Sequence, residues 1–149
     1  MNTPLLKLVL ADDDTDDCTF FKEALEELSH VTKLEIVHDG VALMRRLIDG
    51  LDSLPHVIYL DLNMPLKTGF DCLAEIKKSE MLKHVPVIIF STSFNPEVVK
   101  CLHERGATFY IRKPGDFSDL KKIIAISLDL IMVGSPQPSA ENFVLNSER

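Results

Sequence analysis

Five short apolar runs, each stopping at a polar residue and each followed by a segment with helical spacing, limit this chain's fold more than any other feature. Residues 5–11 (LLKLVLA), 34–37 (LEIV), 56–60 (HVIYL), 86–90 (PVIIF) and 107–112 (ATFYIR) are too short for buried helices and suit strands covered on both faces. Thr15 is the expected cap of the first helix, with Asp16 and Asp17 in its first turn. Phe20, Phe21, Ala24, Leu25 and Leu28 then recur at helical spacing to about residue 29. Asp39-Gly40 marks a turn before a helix over 41–48, and a loop holding Pro65 and Gly69 precedes a helix over 70–78. A helix over 96–105 stops at Gly106, and Asp116 or Ser118 caps a last helix reaching about residue 133. Five strands alternating with five helices predict an α/β fold with a parallel sheet covered on both faces.

Composition narrows the function classes. The 149 residues carry 23 Asp and Glu against 16 Lys and Arg, a formal charge of −7. One domain of this length has enough core to fold alone, and its acidic balance argues against nucleic acid or an anionic membrane as partner. The three cysteines form no CxxC pair, so a disulfide framework or a four-cysteine zinc site is not expected, and a reducing cytoplasm fits. No apolar run reaches membrane-spanning length, and no secretory leader is recognised. The five histidines lack metal-ligand spacing. Residues 134–149 open GSPQPS and offer only Phe143, Val144 and Leu145 as anchors. They are expected to form a flexible or loosely docked tail, with a partner-binding tail or dimer arm as the second reading.

In an open parallel sheet, sites form at the carboxyl ends of the strands. Those ends carry Asp12 and Asp13, Asp61, Ser91 and Lys113. Carboxylates gathered in one pocket repel one another unless a cation sits among them, and oxygen-only ligands suit Mg²⁺. Lys113 can pair with a carboxylate at rest and with an added anion later. Asp14, Asp16 and Asp17 are read as helix-start capping and solvation, so the run of five acids in residues 12–17 divides into two site residues and three that begin a helix.

These pieces resemble the receiver domain of two-component response regulators, the CheY-like fold. The match lies in LVLADDDTDD, in DLNMPLKTG with Asp61 four residues before Pro65 and eight before Gly69, in PVIIFSTS and in ATFYIRKP. It covers residues 5–133. The resemblance implies a flavodoxin-like five-stranded sheet of order 2-1-3-4-5. It implies Asp61 as phosphoryl acceptor, Asp13 as a direct Mg²⁺ ligand, Asp12 assisting through water, and the backbone carbonyl of Asn63 as a further ligand. Ser91 would bond the phosphoryl group, Lys113 would pair with it, and Tyr110 would be the aromatic that turns inward as Ser91 moves. The Lys113–Pro114 bond is expected to be cis. A histidine kinase or histidine phosphotransfer protein would supply the phosphoryl group, possible kinases including the phytochrome type. The chain is expected to act as a stand-alone receiver whose output passes to a protein partner, or to a second copy, through the fourth helix, fifth strand and fifth helix (96–133).

Other readings fit less well. Asp12, Asp14, Asp16 and Glu23 fall on calcium-loop positions, but the loop's glycine position holds Asp17 and a strand precedes it. A dehalogenase-type phosphatase would need Thr or Val at Asp16, and a dinucleotide fold would need glycines after the first strand. A Mg²⁺-dependent phosphohydrolase with an aspartyl intermediate, and a degenerate receiver that binds partners without phosphorylation, remain as alternatives.

Overall fold

A computed structural model describes residues 4–134 and 137–147. The elements follow in the order β1 (Leu6–Ala11), α1 (Thr15–Glu26), β2 (Thr32–Val37), α2 (Gly40–Asp49), β3 (Val57–Leu60), α3 (Gly69–Lys78), β4 (Val87–Ser91), α4 (Pro96–Glu104), β5 (Phe109–Arg112) and α5 (Phe117–Val133). A 3-10 turn (Ala140–Asn142) and a short strand β6 (Val144–Leu145) complete the chain. All strand pairings are parallel, in the order β2-β1-β3-β4-β5-β6. The expected order 2-1-3-4-5 is present, with a sixth strand added beyond β5.

Side chains alternate across the pleat, so each strand feeds two cores. Val9, Ala11, Ile58, Leu60 and Ile89 face α2, α3 and α4, where Leu43, Leu47, Leu73, Ile76 and Leu102 meet them. Leu8, Leu10, Val57, Tyr59 and Ile88 face α1 and α5, where Phe21, Ala24, Ile124 and Leu128 meet them. The second core also holds an aromatic cluster, with Phe21 against Tyr59 and Phe90 at ring separations of 4.9 and 5.5 Å. The buried Tyr59 hydroxyl is satisfied by Ser127 Oγ at 2.6 Å.

Each helix starts on a side-chain cap. Asp39, Asn95 and Asp116 cap α2, α4 and α5, and Thr68 with Asp71 forms a capping box on α3. The cap of α1 is Asp14, one residue before the Thr15 expected from sequence; its carboxylate accepts from the amides of Asp16 and Asp17 at 3.0 and 3.1 Å. Gly134 ends α5 in the left-handed region at φ 73°.

The tail is more firmly held than its composition predicts. Val144 and Leu145 pair in parallel with Tyr110 and Ile111. Phe143 is 1% exposed and joins the core on the α2–α3–α4 side. The Gln137 side chain donates to the carbonyls of His103 and Ala107 at 2.6 and 2.9 Å, closing the end of α4. Three apolar residues suffice because β5 would otherwise be an edge strand with free backbone groups.

Candidate functional site

Strand register sets the site. Ala11 pairs with Leu60, so Asp12 and Asp61 leave neighbouring strands at the same height. Asp61 donates its amide to the Ala11 carbonyl at 2.9 Å, and Lys113 donates its amide to the Ser91 carbonyl at 2.8 Å. The five strand-end residues read from sequence therefore gather on one edge. Asp12, Asp61 and Ser91 are buried, whereas Asp13 lies exposed at the rim.

Gly69 explains part of the spacing that marks Asp61. A Cβ there would come within 2.3 Å of the Asp61 carbonyl oxygen, so only glycine lets the start of α3 pass behind the carboxylate. Leu66, in the same loop, holds φ 68°, a conformation that strains a non-glycine residue beside the site.

Carboxylate oxygens of Asp12, Asp13 and Asp61 lie within 4.8 Å of one another. The donor set is all oxygen and anionic, and it is open at Asp13. Those properties fit a hard divalent cation such as Mg²⁺ or Mn²⁺ and do not fit a soft metal. Burial, reinforced by Asp12 and opposed by Lys113, pushes the Asp61 carboxyl up to about 6. Asn63 places its amide 3.5 Å from Asp61 Oδ1.

The ammonium of Lys113 is the counter-charge. It lies 2.7 Å from Asp12 Oδ2, 2.8 Å from Asp17 Oδ2 and 3.7 Å from Asp61 Oδ2. It also stands 5.4 Å above the Phe90 ring. Burial disfavours its charge, but the bonds to Asp12 and Asp17 outweigh that and hold it above the usual lysine range. Asp17 was the residue the sequence pattern missed. As the third residue of α1 its side chain turns back toward the strand end, the direction an N3 side chain takes in a capping box, and that was its available signal.

Ser91 is fully buried, and Thr92 faces outward, as strand alternation requires. The Ser91 hydroxyl lies 3.0 Å from that of Ser93. Tyr110 is 1% exposed and already inward, its hydroxyl donating to the Ser93 carbonyl and its ring packed edge-on against Phe94 at 5.8 Å and tilted against Phe143 at 6.4 Å. The tail's Phe143 supplies a wall for the inward ring. An expectation is corrected at Lys113–Pro114. No peptide bond among the described residues is cis, so this one is trans. Trans is the lower-energy isomer of an X–Pro bond by about 0.5–1 kcal/mol, and Lys113 reaches Asp12 from it.

The profile of the response regulator receiver domain matches residues 8–125. The chain belongs to the response regulator receiver family. Among curated relatives, response regulator Rcp1 of Synechocystis is 32% identical over 127 residues, spanning 83% of this chain and 86% of that one. The solved Mn²⁺-bound form of Rcp1 superposes with a TM-score of 0.76 at 30% identity, covering 90% of this receiver and 99% of that chain. The phosphorylated cyanobacterial phytochrome response regulator RcpA gives 0.80 at 31% identity, covering 91% and 100%. This acidic edge therefore belongs to a response regulator receiver domain. No helix among its described residues is long and apolar enough to cross a membrane.

Proposed function

We propose that this receiver works in a two-component phosphorelay, accepting a phosphoryl group on Asp61 from a histidine kinase or histidine phosphotransfer protein. The observation that carries the reading is the meeting of Asp61 with Asp12, Asp13, Ser91 and Lys113 on one sheet edge. The carboxylates of Asp12, Asp13 and Asp61, with the backbone carbonyl of Asn63, would hold Mg²⁺. When bound, the ion supplies charge neutralisation for the transferring oxygens. Asp61 would offer a carboxylate oxygen to phosphorus as the N–P bond of the donor's phosphohistidine breaks and its imidazole leaves, and the sheet edge fixes its line of approach. Lys113 and the Ser91 hydroxyl donate hydrogen bonds to the new oxygens, the first of them charge-assisted.

Signalling would follow from the added charge drawing on Ser91 and Lys113 and biasing the packing around Tyr110. The output surface would be α4, β5 and α5, read by a downstream protein or a second copy. Because β6 runs along β5, a partner there meets the tail as well. The similarity to RcpA, a phytochrome response regulator, supports a phytochrome-type kinase as donor, and that to Mn²⁺-bound Rcp1 supports a divalent cation. Three free cysteines, two of them buried, support a reducing, cytoplasmic setting.

Phosphate release from acetyl phosphate and from sugar phosphates, with Mg²⁺ present, tests the proposal. A receiver takes one phosphoryl group per chain from acetyl phosphate and leaves sugar phosphates intact. Sustained turnover of a sugar phosphate would overturn the reading in favour of a phosphohydrolase.

A further inference from the structure

The Lys113 ammonium is engaged away from Asp61 by an ion pair with Asp12 and a hydrogen bond to Asp17. Asp12 and Asp17 hold it at 2.7 and 2.8 Å, and Asp61 stands outside hydrogen-bond range at 3.7 Å. A phosphoryl group on Asp61 draws Lys113 toward itself, and movement of the ammonium that way stretches one or both of those contacts. Burial decides which. The Asp12 side chain is 0% exposed, so losing the ammonium would strand a buried carboxylate. The Asp17 side chain is 30% exposed and sits in the first turn of α1, where the helix dipole supports a negative charge and water can replace the lysine.

We propose that Asp17 is a positioning residue that holds Lys113 back from the acceptor and competes with the phosphoryl group for it. The inference rests on Asp61 being the acceptor. Asp17 then weakens retention of the phosphoryl group in two ways that share a sign. It occupies the ammonium, and its own charge faces the incoming dianion. Asp16, in the same turn, is exposed, and its side chain makes no hydrogen bond or ion pair among the described residues. It makes no contact with Lys113, which separates the specific bond from simple charge.

The test is calorimetric binding of beryllofluoride, a phosphoryl mimic, to the full chain at saturating Mg²⁺. Asp17→Asn is expected to bind the mimic about three- to tenfold more tightly, the scale of one partly exposed charge-assisted contact. Asp17→Glu should return most of the way to wild type, and Asp16→Asn should stay within about twofold of it. In a Lys113→Met background the gain from Asp17→Asn should shrink to the part that removing its charge alone supplies, a coupling that a merely structural role of Asp17 in α1 would not produce. Unchanged or weaker binding by Asp17→Asn, or an equal gain in the Lys113→Met background, would overturn the proposal while leaving Asp61 as acceptor intact. A wild type that binds no mimic would overturn the acceptor reading, and this inference with it.

Discussion

At Asp61 burial and the neighbouring Asp12 favour the proton, and Lys113 and the Asn63 amide oppose them, leaving the carboxyl up at about 6 against 3.8 in a free chain. A carboxyl raised in this way contributes stability that is complete below the unfolded value and is lost as pH rises through the folded one. Without a divalent cation, the ionised Asp61 is thus a cost to the fold at neutral pH. Asp61→Asn, unfolded in urea with chelator present, is expected to be more stable than wild type at pH 8 by about 1–3 kcal/mol. The difference should shrink between pH 6 and pH 4. An equal difference at both ends of that range would show that packing, not ionisation, is responsible. Gly69 gives a second test at this scale. Gly69→Ala sets a Cβ against the Asp61 carbonyl and is expected to lower stability by about 2 kcal/mol or more. Its loss of phosphoryl uptake should exceed what unfolding alone explains, measured on samples still folded by circular dichroism.

Among the elements, the alternation of apolar runs with amphipathic segments was enough to place β1 to β5 and α1 to α5, because a strand buried on both faces and a helix buried on one leave different periods in the sequence. Boundaries moved by a residue or two where capping decided them. Asp14 displaced Thr15 at α1 because its carboxylate reaches two amides at once. The site was legible in Asp12, Asp13, Asp61, Ser91 and Lys113, since strand ends in a parallel sheet meet whatever their separation in the chain. Asp17 was not, because a first-turn acid looks the same whether it faces water or a lysine from β5. Nor was β6, whose two residues carry no period. Its anchor is Phe143, at 1% exposure between His103 and Tyr110. Phe143→Ala is expected to cost about 3–4 kcal/mol in urea denaturation, as for other buried phenylalanines. It should also speed amide exchange at Tyr110, whose N–H donates to the Phe143 carbonyl. Unaltered exchange there would mean that the tail does not hold β5.

Over the whole molecule, part of the charge of −7 is concentrated at one place. Four of its acids, Asp12, Asp13, Asp17 and Asp61, surround one edge with Lys113 as the cation in contact with three of them. On the proposed function, a divalent cation would relieve the repulsion that Lys113 leaves at that edge, and phosphorylation would then return negative charge to it within reach of Ser91 and Lys113. The most direct test of this account is the intact mass of the chain after incubation with acetyl phosphate, with and without Mg²⁺, for wild type and Asp61→Asn. The account expects one added phosphoryl group on the wild type, only with Mg²⁺, and none on Asp61→Asn. A wild type that gains no mass, or an Asp61→Asn chain that gains as much, would contradict it.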